Sequence, residues 1–225
     1  MEGVISMRKK GVIFDLDGTL INSLPDISAA MNRSLAKFGL PGFEENAYKY
    51  KVGNGVFKIA ERSVGEHTEL LEDVLHAYME DYAHNSRVST YAYKGVPEML
   101  QGLADRGMKI CVLSNKDQTD TENVLAYYFP GIPFSAIRGR VEGVPLKPDP
   151  TGAQLILDQI GITNEECWYV GDTSMDMNCG NAAQMETVGV LWGFRPREEL
   201  VASGAKHLIA EPRELLDLVD AQINR

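Results

Sequence analysis

Val12, Ile13 and Phe14 form an unbroken apolar run that stops at a carboxylate, Asp15. So short a run reads as a buried strand. The apolar period then changes. Leu24, Ile27, Met31, Leu35 and Phe38 recur at spacings of three and four, which predicts a helix that Gly39 ends. Residues 44–64 read as short helices broken by Gly53-Asn54-Gly55. Leu71, Val74, Leu75, Tyr78 and Tyr82 predict an amphipathic helix within 68–85. From Asn22 to about Thr90 there is little strand pattern, and the block reads as a helical insertion.

Strands and helices alternate after that. Val96, Met99, Leu100 and Leu103 mark a helix closed by Gly107, and residues 109–113 (KICVL) a buried strand ending in Ser114-Asn115-Lys116. A helix through Val124, Leu125 and Tyr128 leads to a short strand at 134–137. Lys147-Pro148-Asp149-Pro150 is a stiff turn before a helix at 153–160, which Gly161 caps. The pattern continues with a strand at 167–170 ending in Gly171-Asp172, a helix at 178–184, and a strand at 187–192. A helix at 198–202, a strand at 207–209 and a helix at 213–219 complete it. This alternation predicts an α/β fold, a parallel sheet with helices on both faces.

Composition narrows the function classes. The 225 residues are 44% hydrophobic and 24% charged, as in an ordinary globular protein with a sizeable core. A formal net charge of −10 argues against nucleic acid and against an anionic membrane surface as partners. No apolar run approaches a membrane span, and the opening MEGVISMRKK lacks the apolar region of a signal peptide. Cys111, Cys167 and Cys179 are odd in number and far apart, so a reduced, cytoplasmic setting is expected. An anion site in so acidic a chain has to be built locally, from a metal, a few lysines and backbone N–H groups.

Candidate chemistry collects at strand ends, where open parallel sheets bind their ligands. Asp15 and Asp17 can share one side of the first strand's end, and two acids there repel unless a cation lies beside them. The competing reading is a solvated turn, since Asp and Gly18 are turn formers. A calcium loop fits less well, because a third oxygen ligand is missing and Leu20 follows. Taken alone, Ser114 and Asn115 read better as helix caps and Lys147 as a loop lysine, while Asp172 and Asp176 could be a capping turn and an exposed first-turn acid. Together these bland readings need four independent coincidences at equivalent strand ends, in one order.

The segments DLDGTL (15–20), SNK (114–116), KPDP (147–150) and GDTSMD (171–176) closely resemble the four motifs of the haloacid dehalogenase-like superfamily. Within it, Val52-Gly53-Asn54-Gly55 and GFRPREEL (193–200) make the chain most similar to bacterial phosphoglycolate phosphatases. The resemblance implies a Rossmann-like three-layer core, residues 1–21 and 91–225, and a small α-helical cap, residues 22–90. It implies a phosphatase that hydrolyses a small phosphorylated metabolite, 2-phosphoglycolate first, through an aspartyl-phosphate.

In that scheme Asp15 is the nucleophile and Asp17 the acid and base, while Ser114 and Lys147 bind the phosphoryl oxygens. Mg²⁺ is the implied metal, held by the Asp15 carboxylate, the Asp17 carbonyl and Asp172, with Asp176 acting through water or by holding Lys147. Thr19, Asn115 and Lys116 join the substrate site, and Gly53 and Asn54 either read a substrate carboxylate or form a plain turn. Pyrophosphate and sugar or nucleotide monophosphates are the alternative substrates. A phosphosugar mutase is disfavoured by Thr19, and a silent binding module by the intact motifs. Asp117 departs from the proline that phosphoglycolate phosphatases often carry there. A monomer or a homodimer is expected.

Overall fold

The computed structural model describes residues 8–223; residues 1–7 and 224–225, assigned to the core from sequence, lie outside the described residues. The chain enters through β1 (Gly11–Phe14) and turns through the short strand β2 (Ile21–Asn22). Four helices follow: α1 (Leu24–Lys37), α2 (Glu45–Tyr48), α3 (Val56–Val64) and α4 (Leu71–Asn85). β3 (Tyr91–Ala92) returns the chain to the alternating part. That part runs α5 (Val96–Asp105), β4 (Lys109–Asp117), α6 (Gln118–Tyr128), β5 (Phe134–Arg140), α7 (Thr151–Ile160) and β6 (Cys167–Gly171). It ends with α8 (Ser174–Ala182), β7 (Glu186–Val190), α9 (Arg197–Ala202), β8 (His207–Ile209) and α10 (Arg213–Ile223).

Six strands form one parallel sheet in the order β5-β4-β1-β6-β7-β8. The apolar run of β1 explains its central place, because a strand covered on both faces needs apolar side chains at every position. Val12 and Phe14 enter a core shared with Leu100, Leu125 and Leu215, from α5, α6 and α10. Ile13 points the other way, into a core with Ile156 of α7 and Cys179 of α8. The result is three layers. Phe14 pairs with Val112 on one side and Val170 on the other. The residues following β1 and β6 therefore lie side by side at one sheet edge, next to the second half of β4.

The insertion after the first strand is a helical cap with its own core, in which Met31, Leu35, Ile59, Val74 and Tyr78 are buried. Asp26, in the first turn of α1, ties the outgoing and returning chains together. Its buried carboxylate accepts hydrogen bonds from the N–H groups of Val88, Ser89 and Thr90 at 2.8–3.0 Å. Among the described residues no helix is long and apolar enough to cross a membrane.

β2, β3, β4, α8 and β7 differ from the sequence expectation, each for a local reason. β2 and β3 pair antiparallel, Ile21 with Ala92 and Asn22 with Tyr91, and two-residue strands are too short to show a period. β4 runs on to Asp117, because β5 continues beside it and Asp117 pairs with Arg140 after a register shift. α8 begins at Ser174 rather than 178, because Thr173 and Asp176 form a reciprocal capping box. β7 stops at Val190, which leaves Trp192 outside the strand, its indole N–H donating to the Thr19 carbonyl at 3.0 Å.

Candidate active site

Asp15 continues the β1 ladder by one bond, its N–H donating to Val170 O at 2.9 Å, and then the chain turns away. Gly18 makes the turn at φ +97°, and a Cβ there would lie 2.3 Å from Asp172 Oδ2. Glycine is thus required both by conformation and by the approach of the acid. Lys147 extends its ammonium between two carboxylates, 2.7 Å from Asp15 Oδ1 and 2.8 Å from Asp176 Oδ1. The other oxygen of Asp176 accepts from Thr173 N at 3.0 Å and Thr173 Oγ1 at 2.7 Å. Asp172 accepts from Thr19 Oγ1 at 3.0 Å and from the Phe194 N–H at 2.8 Å. Thr19 therefore orients Asp172.

Oxygens of Asp15, Asp172 and Asp176 all lie within 4.8 Å of one another, and all three residues are buried. Lys147 supplies one positive charge against these three acids. Burial, and then Asp176, holds the Asp15 carboxyl well above its ordinary value in spite of Lys147. Burial and Asp176 likewise push Asp172 up to about 7. Burial opposes the Lys147 charge, but Asp15 and Asp176 outweigh it and hold the ammonium above the ordinary lysine value. Three hard oxygen donors with charge left over fit a hard divalent cation.

Asp17 takes no part in that cluster with its carboxylate. It accepts from Ser23 Oγ at 2.5 Å and from Lys116 Nζ at 3.1 and 3.2 Å. Lys116 also donates to Tyr82 Oη of α4 at 3.1 Å, so a cap residue completes the shell of a core lysine. Burial opposes the charge of Lys116, yet Asp17 and Tyr82 hold its ammonium well above the usual value. Ser114 is buried, and its hydroxyl accepts from Lys116 N at 3.1 Å. The Asn115 amide is already committed to backbone, donating to Gly53 O at 2.9 Å and Lys147 O and accepting from Lys147 N. It fastens the cap turn to the lysine loop.

A cavity of about 60 Å³ lies between core and cap. Asp15, Asp17, Ser114, Asn115, Lys116 and Lys147 meet there, with Gly53 from the cap. Asn54 is turned aside, accepting from Arg62 and donating to Met175 Sδ at 2.8 Å. The cap-side wall is mostly apolar, with Ile27, Val52, Val56, Ile59 and Tyr78. Sequence reasoning missed Ser23, Tyr82, Thr173, Met175 and Phe194. Thr173 had a readable signal, T-x-x-D at a helix start. Tyr82 read only as part of an apolar stripe, and Phe194 lies in a loop with no period.

The buried acids give the cation-free protein a distinctive pH response. Between 3.8 and about 7, folded Asp172 keeps a proton that the unfolded chain has released. The folded state then binds more protons, so stability falls as pH rises through that window. A saturating divalent cation should therefore raise the Tm more at about pH 7.5 than at about pH 5, by about 2–10 °C. Calorimetry with Mg²⁺ and with EDTA reads this, and no shift at either pH would remove the acid cluster as a cation site.

Comparison with known proteins agrees with the arrangement. Residues 12–190 match the family model described as haloacid dehalogenase-like hydrolase. A phosphoglycolate phosphatase of Pseudomonas putida is 31% identical over 91% of this chain and 78% of its own length. An N-acetylmuramic acid 6-phosphate phosphatase of Pseudomonas aeruginosa is 29% identical over 95% of this chain and 96% of its own. The solved structure of a haloacid dehalogenase-like family hydrolase from Streptococcus pneumoniae shares the fold with a TM-score of 0.85 at 18% identity, over 93% of this chain and 98% of that one. From motifs, fold and family match together, the chain belongs to the haloacid dehalogenase-like hydrolases.

Proposed function

We propose that the protein is a Mg²⁺-dependent phosphatase that hydrolyses a small phosphate monoester, 2-phosphoglycolate first, by way of an aspartyl-phosphate on Asp15. One observation carries the reading. A buried carboxylate at the end of the central strand lies 2.7 Å from a buried lysine, while a second acid two residues on belongs to a separate network.

Lys147 holds one oxygen of Asp15, and the other oxygen attacks phosphorus. As the new O–P bond forms, the ester P–O bond breaks, and Asp17, having taken a proton from solvent once Lys116 turns to the substrate, passes that proton to the departing oxygen. Asp17 then takes a proton from water, and that water attacks the aspartyl-phosphate. Phosphate leaves and the Asp15 carboxylate is restored. Ser114 and Lys147 place donors on the phosphoryl oxygens, the positioning on which phosphoryl transfer chiefly depends. Asp15, Asp172 and Asp176, with the Asp17 carbonyl, would hold Mg²⁺, which supplies positive charge against the phosphoryl oxygens. The cap, residues 22–90, closes over residues 1–21 and 91–225, with 20–23 and 86–95 as hinges. The two-stranded ribbon β2–β3 at that junction supports this division.

The cavity supports a small substrate. Its small volume favours a small leaving group, and the Pseudomonas putida relative bears the name phosphoglycolate phosphatase. The lining cations are Lys116 and Lys147, of which Lys116 lies outside the cluster of three acids. A substrate carboxylate can draw Lys116 from Asp17.

Phosphate release with Mg²⁺ and with EDTA tests the reading, across 2-phosphoglycolate, pyrophosphate, a sugar phosphate and a nucleotide monophosphate. High kcat/KM on 2-phosphoglycolate alone is the expected result, and a different best ester would replace that substrate. Lys116→Met should lower kcat/KM on 2-phosphoglycolate about 10–100-fold more than on an aryl phosphate, a differential of about 1.4–2.8 kcal/mol. Equal losses would confine Lys116 to holding Asp17.

A further inference from the structure

Phe194 belongs to the core chain, in the loop between β7 and α9, yet its side chain serves the cap. It is 5% exposed and is buried in the cap's apolar cluster, which also holds Leu24, Ile27, Val52 and Ile59. The same residue lines the cavity that holds Asp15 and Lys147. Its main-chain N–H is one of the two donors on Asp172.

The neighbours of Phe194 fix it in place. A Cβ on Gly193 would lie 2.2 Å from Asp172 Cβ, so only glycine lets the loop come this close to the acid. On the other side, Arg195 donates to the Lys49 carbonyl of the cap and lies 4.7 Å from the centre of the Tyr50 ring. Arg195 also pairs with Glu199 at 3.4 Å, and Glu199 accepts from Ser174 N at the start of α8 at 3.2 Å. The loop is thereby held to the cap, to Asp172 and to the helix that carries Asp176.

Resting on the phosphatase reading, we propose that Phe194 is a specificity-determining residue, whose ring, beside Met175, is part of the core's contribution to the wall facing the leaving group and sets the largest group the closed cavity accepts. The side chain can be altered without removing the bond to Asp172, because that bond is made by the backbone. Shrinking the ring opens the wall where core and cap meet. Larger esters then gain access, while a small ester loses contact on that side.

The test measures kcat and KM for wild type, Phe194→Ala and Phe194→Leu at saturating Mg²⁺. Glucose 6-phosphate is compared with the small ester that the wild type hydrolyses best, so a wrong substrate assignment leaves the test intact. The expected result is a rise of at least about 10-fold in the kcat/KM ratio of large to small ester for Phe194→Ala, carried by KM, with a smaller rise for Phe194→Leu. Phe194→Leu keeps an apolar filler and carries the test alone if Phe194→Ala fails to fold. Parallel losses on both esters, with the ratio unchanged, would give the ring a purely structural role and overturn the proposal. No phosphate release by the wild type from any ester would overturn the phosphatase reading, and this inference with it.

Discussion

Asp15→Asn should lower kcat for phosphate release by at least about 10⁴-fold and leave the fold intact. The substitution keeps shape and one oxygen acceptor, so Lys147 retains a partner where it now lies 2.7 Å from Asp15 Oδ1. What it removes, in the proposed mechanism, is the anionic oxygen that attacks phosphorus. An amide nucleophile is far weaker, and no other carboxylate replaces it, since Asp172 and Asp176 each accept hydrogen bonds on both oxygens. Stability should move the other way. Burial and Asp176 disfavour the ionised form of Asp15, so the neutral amide relieves repulsion in the cation-free protein. The Tm in EDTA at about pH 7.5 is expected to equal or exceed that of wild type, by up to about 5 °C. Circular dichroism and phosphate release on one preparation decide it. A correctly folded variant within about 10-fold of wild-type kcat would remove Asp15 as the nucleophile.

The contrast between Asp15 and Phe194 shows what the sequence could and could not reveal. Asp15, Ser114 and Asp172 stand where apolar strand runs meet polar residues, and sheet topology turns that local feature into a common edge, which Lys147 reaches from the loop between β5 and α7. β1 pairs with β4 and β6 at once, so their carboxyl ends converge without any further information. The cap helices were likewise readable from their 3.6-residue period. The networks were not. Nothing near Lys116 marks it for Asp17 and Tyr82, because both lie far away in sequence, and the Tyr82 contact joins cap to core. Asn115 reads as a substrate ligand until Gly53 and the lysine loop are seen to occupy its amide.

These networks also show how the cap is joined to the chemistry. Asn115 reaches the Gly53 carbonyl, Lys116 reaches Tyr82, and the loop at 193–195 reaches the cap core and Lys49. Each core partner in these contacts touches a residue of the acid or lysine network as well. The contacts that hold cap to core and those that arrange the site therefore share residues, so the proposed closure would set both at once.

Lys147→Met has the second large expected effect, and it acts on stability and turnover together. The lysine side chain is 4% exposed and is the cation bonded to both Asp15 and Asp176. Replacing it with an apolar side chain of similar length leaves buried acids facing one another with no internal counter-charge. Removing one member of a buried ion pair costs about 3–5 kcal/mol, which sets the expected loss in EDTA at about pH 7.5. The sign of the pH dependence follows from the acids. Lys147 in the wild type stays protonated throughout the neutral range, because Asp15 and Asp176 hold its proton above the ordinary lysine value. Without it the raised values of Asp15 and Asp172 rise further. Folded protein then binds more protons than unfolded over a wider range above 3.8, so the variant's deficit grows from about pH 5 to about pH 8 and shrinks as the acids take up protons below that. A divalent cation narrows the deficit at the upper end by restoring positive charge to the cluster. Turnover should fall by about 10³-fold even with saturating Mg²⁺, because in the proposed mechanism the phosphoryl oxygens lose a fixed donor. Chemical denaturation across that pH range, with and without Mg²⁺, reads the first effect and phosphate release the second. A variant as stable as wild type in EDTA at about pH 7.5, or one with kcat within about 10-fold, would take Lys147 out of the centre of this site.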